Sequence, residues 1–124
     1  MHILILGAAG MVGRKLTERL LRDGRLGSHD ITRMTLQDVV VPTRPAEASI
    51  PITVAASDFA DAGAAAPLIA HRPEVIFHLA AIVSGEAEAE FDKGYRINLD
   101  GTRMLLDAIR LVGGGSPLID FRTV

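Results

Sequence analysis

Cysteine and tryptophan are absent from this 124-residue sequence, tyrosine occurs once, and aromatic residues make up only 4%. Without cysteine, a disulfide scaffold and any thiolate chemistry are excluded. An excess of charge of one sign is lacking too. Thirteen Lys and Arg stand against 15 Asp and Glu, for a formal net charge of −2. The basic residues are spread from Arg14 to Arg122, so no basic patch points to a nucleic-acid partner. No apolar run approaches the roughly 18 residues that a membrane-spanning helix needs. The opening Met1-His2-Ile3-Leu4-Ile5-Leu6 is too short for the apolar region of a signal peptide. The four histidines, His2, His29, His71 and His78, show no metal-ligand spacing, and no metal is expected. What the sequence does have is apolar content, 48%, enough for a packed core. A single cytoplasmic domain spanning residues 1–124 is the expectation.

Ile3, Leu4, Ile5 and Leu6 form a short continuous apolar run, the pattern of a strand buried on both faces. Gly7-Ala8-Ala9-Gly10-Met11-Val12-Gly13 follows at once. Val12, Leu16 and Leu20, with Leu21 beside them, then predict an amphipathic helix whose other face carries Arg14, Lys15, Glu18, Arg19 and Arg22. Gly24 is placed to stop it, and a polar loop is expected from Gly24 to Asp30. A second strand is expected within Ile31 to Val41, with Asp38 inside or just after it, ended by Pro42 and Pro45. A third covers Ile50 to Ala55. Asp58 to His71 reads as an Ala-rich helix that Pro67 shortens or kinks. Val75 to Leu79 is a fourth strand. From about Glu86 to Val112 the pattern is helical, with Asn98, Thr102, Leu105 and Ile109 on one face. Gly113-Gly114-Gly115 ends it, and Leu118, Ile119 and Phe121 suggest a fifth strand. Strands alternating with helices imply a parallel sheet covered on both sides. The expected fold class is α/β, a Rossmann-type three-layer arrangement with strand order 3-2-1-4-5. A ligand would lie at the carboxyl ends of strands one and four.

The chemistry-bearing residues fall at those ends. Gly7, Gly10 and Gly13 have the spacing G-x-x-G-x-x-G. Gly7 allows the tight turn out of the strand, Gly10 lets a pyrophosphate approach the backbone, and Gly13 lets the helix pack close. The N–H groups near Met11 and Val12 would face the phosphates, aided by the helix dipole. A close-packed turn without a ligand is the alternative. Asp38 suits the adenosine ribose hydroxyls and would repel a 2′-phosphate, favouring NAD over NADP, although Arg14 and Arg44 keep NADP open. A solvated turn carboxylate is the alternative there. Asp58 either caps the next helix or bonds the adenine amino group. Small residues in His78-Leu79-Ala80-Ala81 leave room for a cofactor, with His78 read as a packed, hydrogen-bonded side chain. Asn98 is expected to tie its helix to the loop after strand four.

Taken together, Gly7 to Gly13, Asp38, Asp58, His78-Leu79-Ala80-Ala81 and Asn98-Leu99-Asp100-Gly101-Thr102 resemble the extended branch of the short-chain dehydrogenase/reductase superfamily, the NAD-dependent epimerase/dehydratase family. The resemblance runs from about Met1 to Gly115. It implies NAD as cofactor, with Gly7, Gly10, Met11 and Val12 at the pyrophosphate and Asp38 at the ribose. It also implies Asp58 and Phe59 beside the adenine, and Leu79, Ala80 and Ala81 at the nicotinamide-side ribose. Asn98 would be the family's helix asparagine, and Ser84 would face substrate. Within the family, Leu36-Gln37-Asp38 and residues 82–88 look like members that oxidise a four-carbon sugar acid. The family's Tyr-x-x-x-Lys pair has no match. Tyr95 is followed four positions later by Leu99, and the lysines are Lys15 and Lys93. The resemblance therefore implies no catalytic residue here, a truncated fold with an atypical 116–124, and a chain that binds NAD without turning over by itself. A sugar epimerase/dehydratase relative and a non-enzymatic NAD-responsive module are the alternatives. An open sheet edge or bare helix faces would favour self-association.

Overall fold

A computed structural model describes residues 1–46, 48–58, 61, 63–80, 101–112 and 118–121. It contains strands β1 (His2–Leu6), β2 (Arg25–Leu26), β3 (His29–Asp30), β4 (Arg33–Asp38), β5 (Ile52–Ala56), β6 (Val75–His78) and β7 (Leu118–Phe121), and helices α1 (Met11–Asp23), α2 (Ala65–Ala70) and α3 (Gly101–Val112). Five strands form one sheet in the order β5-β4-β1-β6-β7, and every pairing in it is parallel. Counting only these strands along the chain, that is the expected 3-2-1-4-5.

β1 is central, and all five of its residues are buried, which is why it reads as unbroken apolar sequence. Its side chains alternate between two cores. Ile3 and Ile5 join Met34, Leu36, Val75 and Leu20 of α1. Leu4 and Leu6 join Ile76, the α2 residues Leu68 and Ile69, and Leu105 of α3. Among the described residues, one helix therefore covers one face, and two cover the other.

α1 departs from its expected stripe in an instructive way. The residues buried deepest are Gly13, Thr17 and Leu20, while Val12, Leu16 and Leu21 are partly buried flanks. The seam runs through Gly13 because it lacks a side chain and lets the helix approach the strand. Hydropathy patterning does not register an absent side chain. Thr17 is accommodated by donating its hydroxyl to the Gly13 carbonyl, 2.7 Å away. Gly24 stops the helix in the left-handed conformation (φ 69°), its N–H donating to the Leu20 carbonyl.

Three further differences are local. Residues 24–30 are not all loop. β2 and β3 form a small antiparallel hairpin, with Gly27 at φ 61° starting its two-residue turn. β4 stops at Asp38, leaving Val39, Val40 and Val41 exposed, so the three valines lie outside the strand. α2 covers only residues 65–70 of the helix expected across 58–71. Pro67 sits in its first turn, where a missing N–H loses no intrahelical bond. α3 matches the carboxyl-terminal part of the helix expected across 86–112; residues 86–100 lie outside the described residues. Among the described residues, no helix is long and apolar enough to cross a membrane.

Candidate functional site

The sheet register brings the exits of β4, β1 and β6 side by side. Leu6 is level with Gln37 on one flank and His78 on the other. The chain leaving β1 must turn immediately. Gly7 does so at φ 88°, in space so confined that a Cβ there would lie 2.8 Å from the Ala80 nitrogen and from the Leu79 carbonyl carbon. A side chain at Gly7 is thus excluded by conformation and by contact alike. Leu79 is pinned beside the turn, its N–H donating to the Leu6 carbonyl at 2.8 Å.

The loop from Gly7 to Gly10 has an ordered donor arrangement. The N–H groups of Gly7 and Ala8 both donate to the Gln37 carbonyl, at 2.9 and 3.0 Å, and Gly10 donates to the Gly7 carbonyl at 3.3 Å. Ala9 donates to Asp38 Oδ2 at 2.9 Å. The other carboxylate oxygen, Oδ1, accepts from the Val39 N–H at 2.7 Å. α1 then begins, and Arg14 closes its first helical bond on the Gly10 carbonyl at 2.9 Å. Among the described residues, nothing accepts the N–H groups of Met11, Val12 and Gly13. Gly10 occupies the N-cap without a side-chain bond, and no acidic residue lies in the first turn. Three open donors at the positive end of a helix suit an anion.

The glycines separate by what a Cβ would meet. At Gly13 it would lie 2.3 Å from the Gly7 carbonyl oxygen and 2.8 Å from Ala8 Cα, so the protein itself demands glycine. At Gly10 the nearest atom would be the Gly7 oxygen at 3.5 Å, an ordinary contact. Among the described residues, nothing in the packing requires Gly10. A Cβ there would instead enter the space over the loop, where a phosphate group would approach. The loop therefore fits a dinucleotide phosphate.

The exit of β5 joins this site through Ser57, whose N–H donates to the Asp38 carbonyl at 3.0 Å. Asp58 follows, half-buried. It does not cap α2, whose N-cap is Ala64 with no side-chain bond. His78 is buried, with Nε2 3.1 Å from Thr102 Oγ1 on α3. Burial pushes its pKa below the ordinary value, against a backbone hydrogen bond that raises it. Gly7, Gly10, Met11, Val12, Gly13, Asp38, Leu79 and Ala80 thus converge, with Asp58 at the adjoining strand end. Phe59, Ala81, Asn98 and Ser84 lie outside the described residues.

Gln37 figures in the sequence only as part of Leu36-Gln37-Asp38, with no role of its own. Its carbonyl takes two loop N–H groups, its Nε2 donates to the Ser57 carbonyl, and its Oε1 is buried with no partner among the described residues. A polar side chain between Leu36 and Asp38 in a buried strand was the available signal, because such a residue must be placed by hydrogen bonds.

A parallel 3-2-1-4-5 sheet with a glycine turn and an acidic strand end at its switch point defines a Rossmann-type nucleotide-binding protein. The chain belongs to the NAD dependent epimerase/dehydratase family, whose model matches residues 3–121. Over 117 residues it is 41% identical to D-erythronate dehydrogenase from Cupriavidus necator, covering 91% of this chain and 36% of that protein. Among solved structures, the nucleoside-diphosphate-sugar epimerase from Agrobacterium tumefaciens is 58% identical with a TM-score of 0.91, covering 98% of this chain and 36% of that one. Uronate dehydrogenase from Agrobacterium tumefaciens, solved with NAD, is 30% identical with a TM-score of 0.73, covering 97% and 39%. The chain thus spans little more than a third of the length of these relatives.

Proposed function

We propose that this chain is the NAD-binding portion of an NAD-dependent sugar-acid dehydrogenase resembling D-erythronate dehydrogenase. One observation carries the reading: three open N–H donors at the start of α1 lie next to a loop held by the Asp38 carboxylate. Gly10, Met11, Val12 and Gly13 hold the pyrophosphate, with Gly7 making the turn. Asp38 has acceptor sites beyond its two backbone partners and uses them on the adenosine ribose, which disfavours the 2′-phosphate of NADP. Asp58 and Phe59 flank the adenine, Leu79, Ala80 and Ala81 line the nicotinamide-side ribose, and Asn98 serves as the family's helix asparagine. Bound NAD supplies the hydride acceptor for oxidation of an alcohol. The chain's own part is to bind and orient it. A Tyr-x-x-x-Lys pair to move the alcohol proton is missing from these 124 residues, so the chain by itself does not turn over.

The 58% identity to a solved nucleoside-diphosphate-sugar epimerase favours a second reading, a sugar-nucleotide epimerase relative that uses the same cofactor site.

A thermal-shift series with NAD, NADP and no ligand tests the cofactor assignment. Ligand at 100 times its dissociation constant adds about 2.7 kcal/mol, a readable rise for a domain of this size. A rise with NAD and little with NADP is expected; no rise with either overturns the reading. Formation of NADH from NAD and D-erythronate by the pure chain would contradict its inactivity alone.

A further inference from the structure

We infer that Asp38 is a positioning residue for the glycine loop as well as a ribose acceptor: its carboxylate sets the loop geometry on which phosphate binding depends. The inference rests on the dinucleotide reading above. Of the four loop amides from Gly7 to Gly10, three donate to backbone carbonyls, and Ala9 alone is held by a side chain. That side chain is itself oriented. Oδ1 is fixed by the Val39 N–H, which turns Oδ2 toward Ala9. The strand below is tied down as well, since the carbonyls of Gln37 and Asp38 accept from Gly7, Ala8 and Ser57. The carboxylate therefore links a rigid strand end to the middle of the turn. Its bond is charge-assisted, roughly twice as strong as a neutral one.

Ala9 directly precedes Gly10, the N-cap of α1. If the acceptor at Asp38 is lost, the Ala9 N–H is left part-buried without a partner, and the turn gains other conformations. The conformation seen here sets where the N–H groups of Met11 and Val12 stand relative to the loop and the end of β1. Apparent affinity falls by the fraction of molecules that keep it. This role differs in sign from simple ribose recognition. For a ligand whose ribose has no hydroxyls to donate, removing a negative charge near the phosphates strengthens binding if Asp38 only contacts ribose. It weakens binding if Asp38 holds the loop.

The experiment compares ADP with 2′,3′-dideoxy-ADP by calorimetry on the wild-type chain, Asp38→Asn and Asp38→Ala. The expected result is that Asp38→Ala weakens dideoxy-ADP about ten-fold, and that Asp38→Asn, which keeps an oxygen able to accept from Ala9, recovers most of that loss. ADP should lose more than dideoxy-ADP in both variants, because its hydroxyls are also deprived of an acceptor. Amide hydrogen exchange at Ala9 supplies a readout that does not need the alanine variant to fold. It should be several-fold faster in ligand-free Asp38→Asn than in wild type, since the neutral acceptor is weaker. Unchanged or tighter dideoxy-ADP binding by Asp38→Ala, or equal Ala9 exchange in Asp38→Asn and wild type, overturns the positioning role and leaves ribose recognition standing. A wild-type chain that binds neither nucleotide overturns the dinucleotide site itself.

Discussion

Gly13 sits against the Gly7 carbonyl so closely that a Cβ at Gly13 would lie 2.3 Å from that oxygen. The contact fixes how the first turn of α1 meets the end of β1, because the obstructing atoms are backbone and cannot rotate away. Gly13→Ala should therefore push the helix start off the strand, opening the seam formed with Thr17 and Leu20. Overpacking of this kind costs about 1–3 kcal/mol. The expected outcome is a lower urea midpoint, together with weaker NAD binding, because the displaced helix end carries the open donors. A variant as stable as wild type would mean that the helix can tilt without loss.

Gly10→Ala should behave in the opposite manner. Among the described residues, the added methyl meets only the Gly7 oxygen, at 3.5 Å, and the backbone there, φ −73° and ψ 169°, is open to any residue. Stability should change by no more than roughly 1 kcal/mol, the ordinary scale of an N-cap substitution. Affinity for NAD should nonetheless fall at least about ten-fold, since the methyl occupies space that a phosphate needs. Melting temperature and calorimetric affinity measured on the same preparation separate the two effects. Wild-type affinity in Gly10→Ala would remove the phosphate from this position.

These two glycines also mark the limit of what sequence discloses. The strand-turn-helix order was legible because an apolar run, three glycines and a period-3.6 pattern agree with one another. The sheet order followed from right-handed parallel connections, and β4 ends at Asp38, where an acidic residue was sought. Spacing alone, however, treats Gly10 and Gly13 alike. One is demanded by backbone contact inside the chain and the other is not, a distinction that exists only in three dimensions. The Ala9–Asp38 bond was hidden for the same reason, since an alanine N–H carries no side-chain signature. The β2–β3 hairpin was missed because its strands have two residues each, too few for any period to show. α2 was drawn too long because alanine favours a helix across 58–71 while giving little amphipathic contrast to locate its ends.

The packing of α3 gives a paired prediction from adjacent residues. Leu105 is fully buried between the sheet and α2, whereas Leu106 is 46% exposed. Leu105→Ala should cost about 2–5 kcal/mol, the usual range for a buried leucine deletion. Leu106→Ala should stay within about 0.5 kcal/mol. Chemical denaturation of both variants checks this. Equal costs would mean that α3 is rotated from the orientation described, or that its outer face is covered in solution.

The two buried histidines give the chain a pH-dependent stability whose direction follows from their surroundings. His2 lies on the same sheet face as Leu4, with Nε2 2.8 Å from Thr35 Oγ1 and Nδ1 3.4 Å from the His71 carbonyl. A neutral ring satisfies both contacts, with Nδ1–H donating to the carbonyl and Nε2 accepting from the hydroxyl. Burial lowers the His2 pKa, and the Arg33 and His71 charges add to the effect, while the His71 backbone hydrogen bond and Glu74 oppose it. His78 is lowered chiefly by burial too. In the unfolded chain both return to about 6.5. As pH falls below that value, the unfolded state takes up protons before the folded state does, so stability declines until the folded rings also protonate. Above about pH 7 both states hold neutral rings and the slope vanishes. The melting temperature should therefore fall between about pH 7 and pH 5.5, above the range where carboxylates begin to titrate. A His2→Gln, His78→Gln double variant should lose that slope, and each single variant should lose part of it. A wild-type profile flat across this interval would show that neither ring is held neutral by the fold.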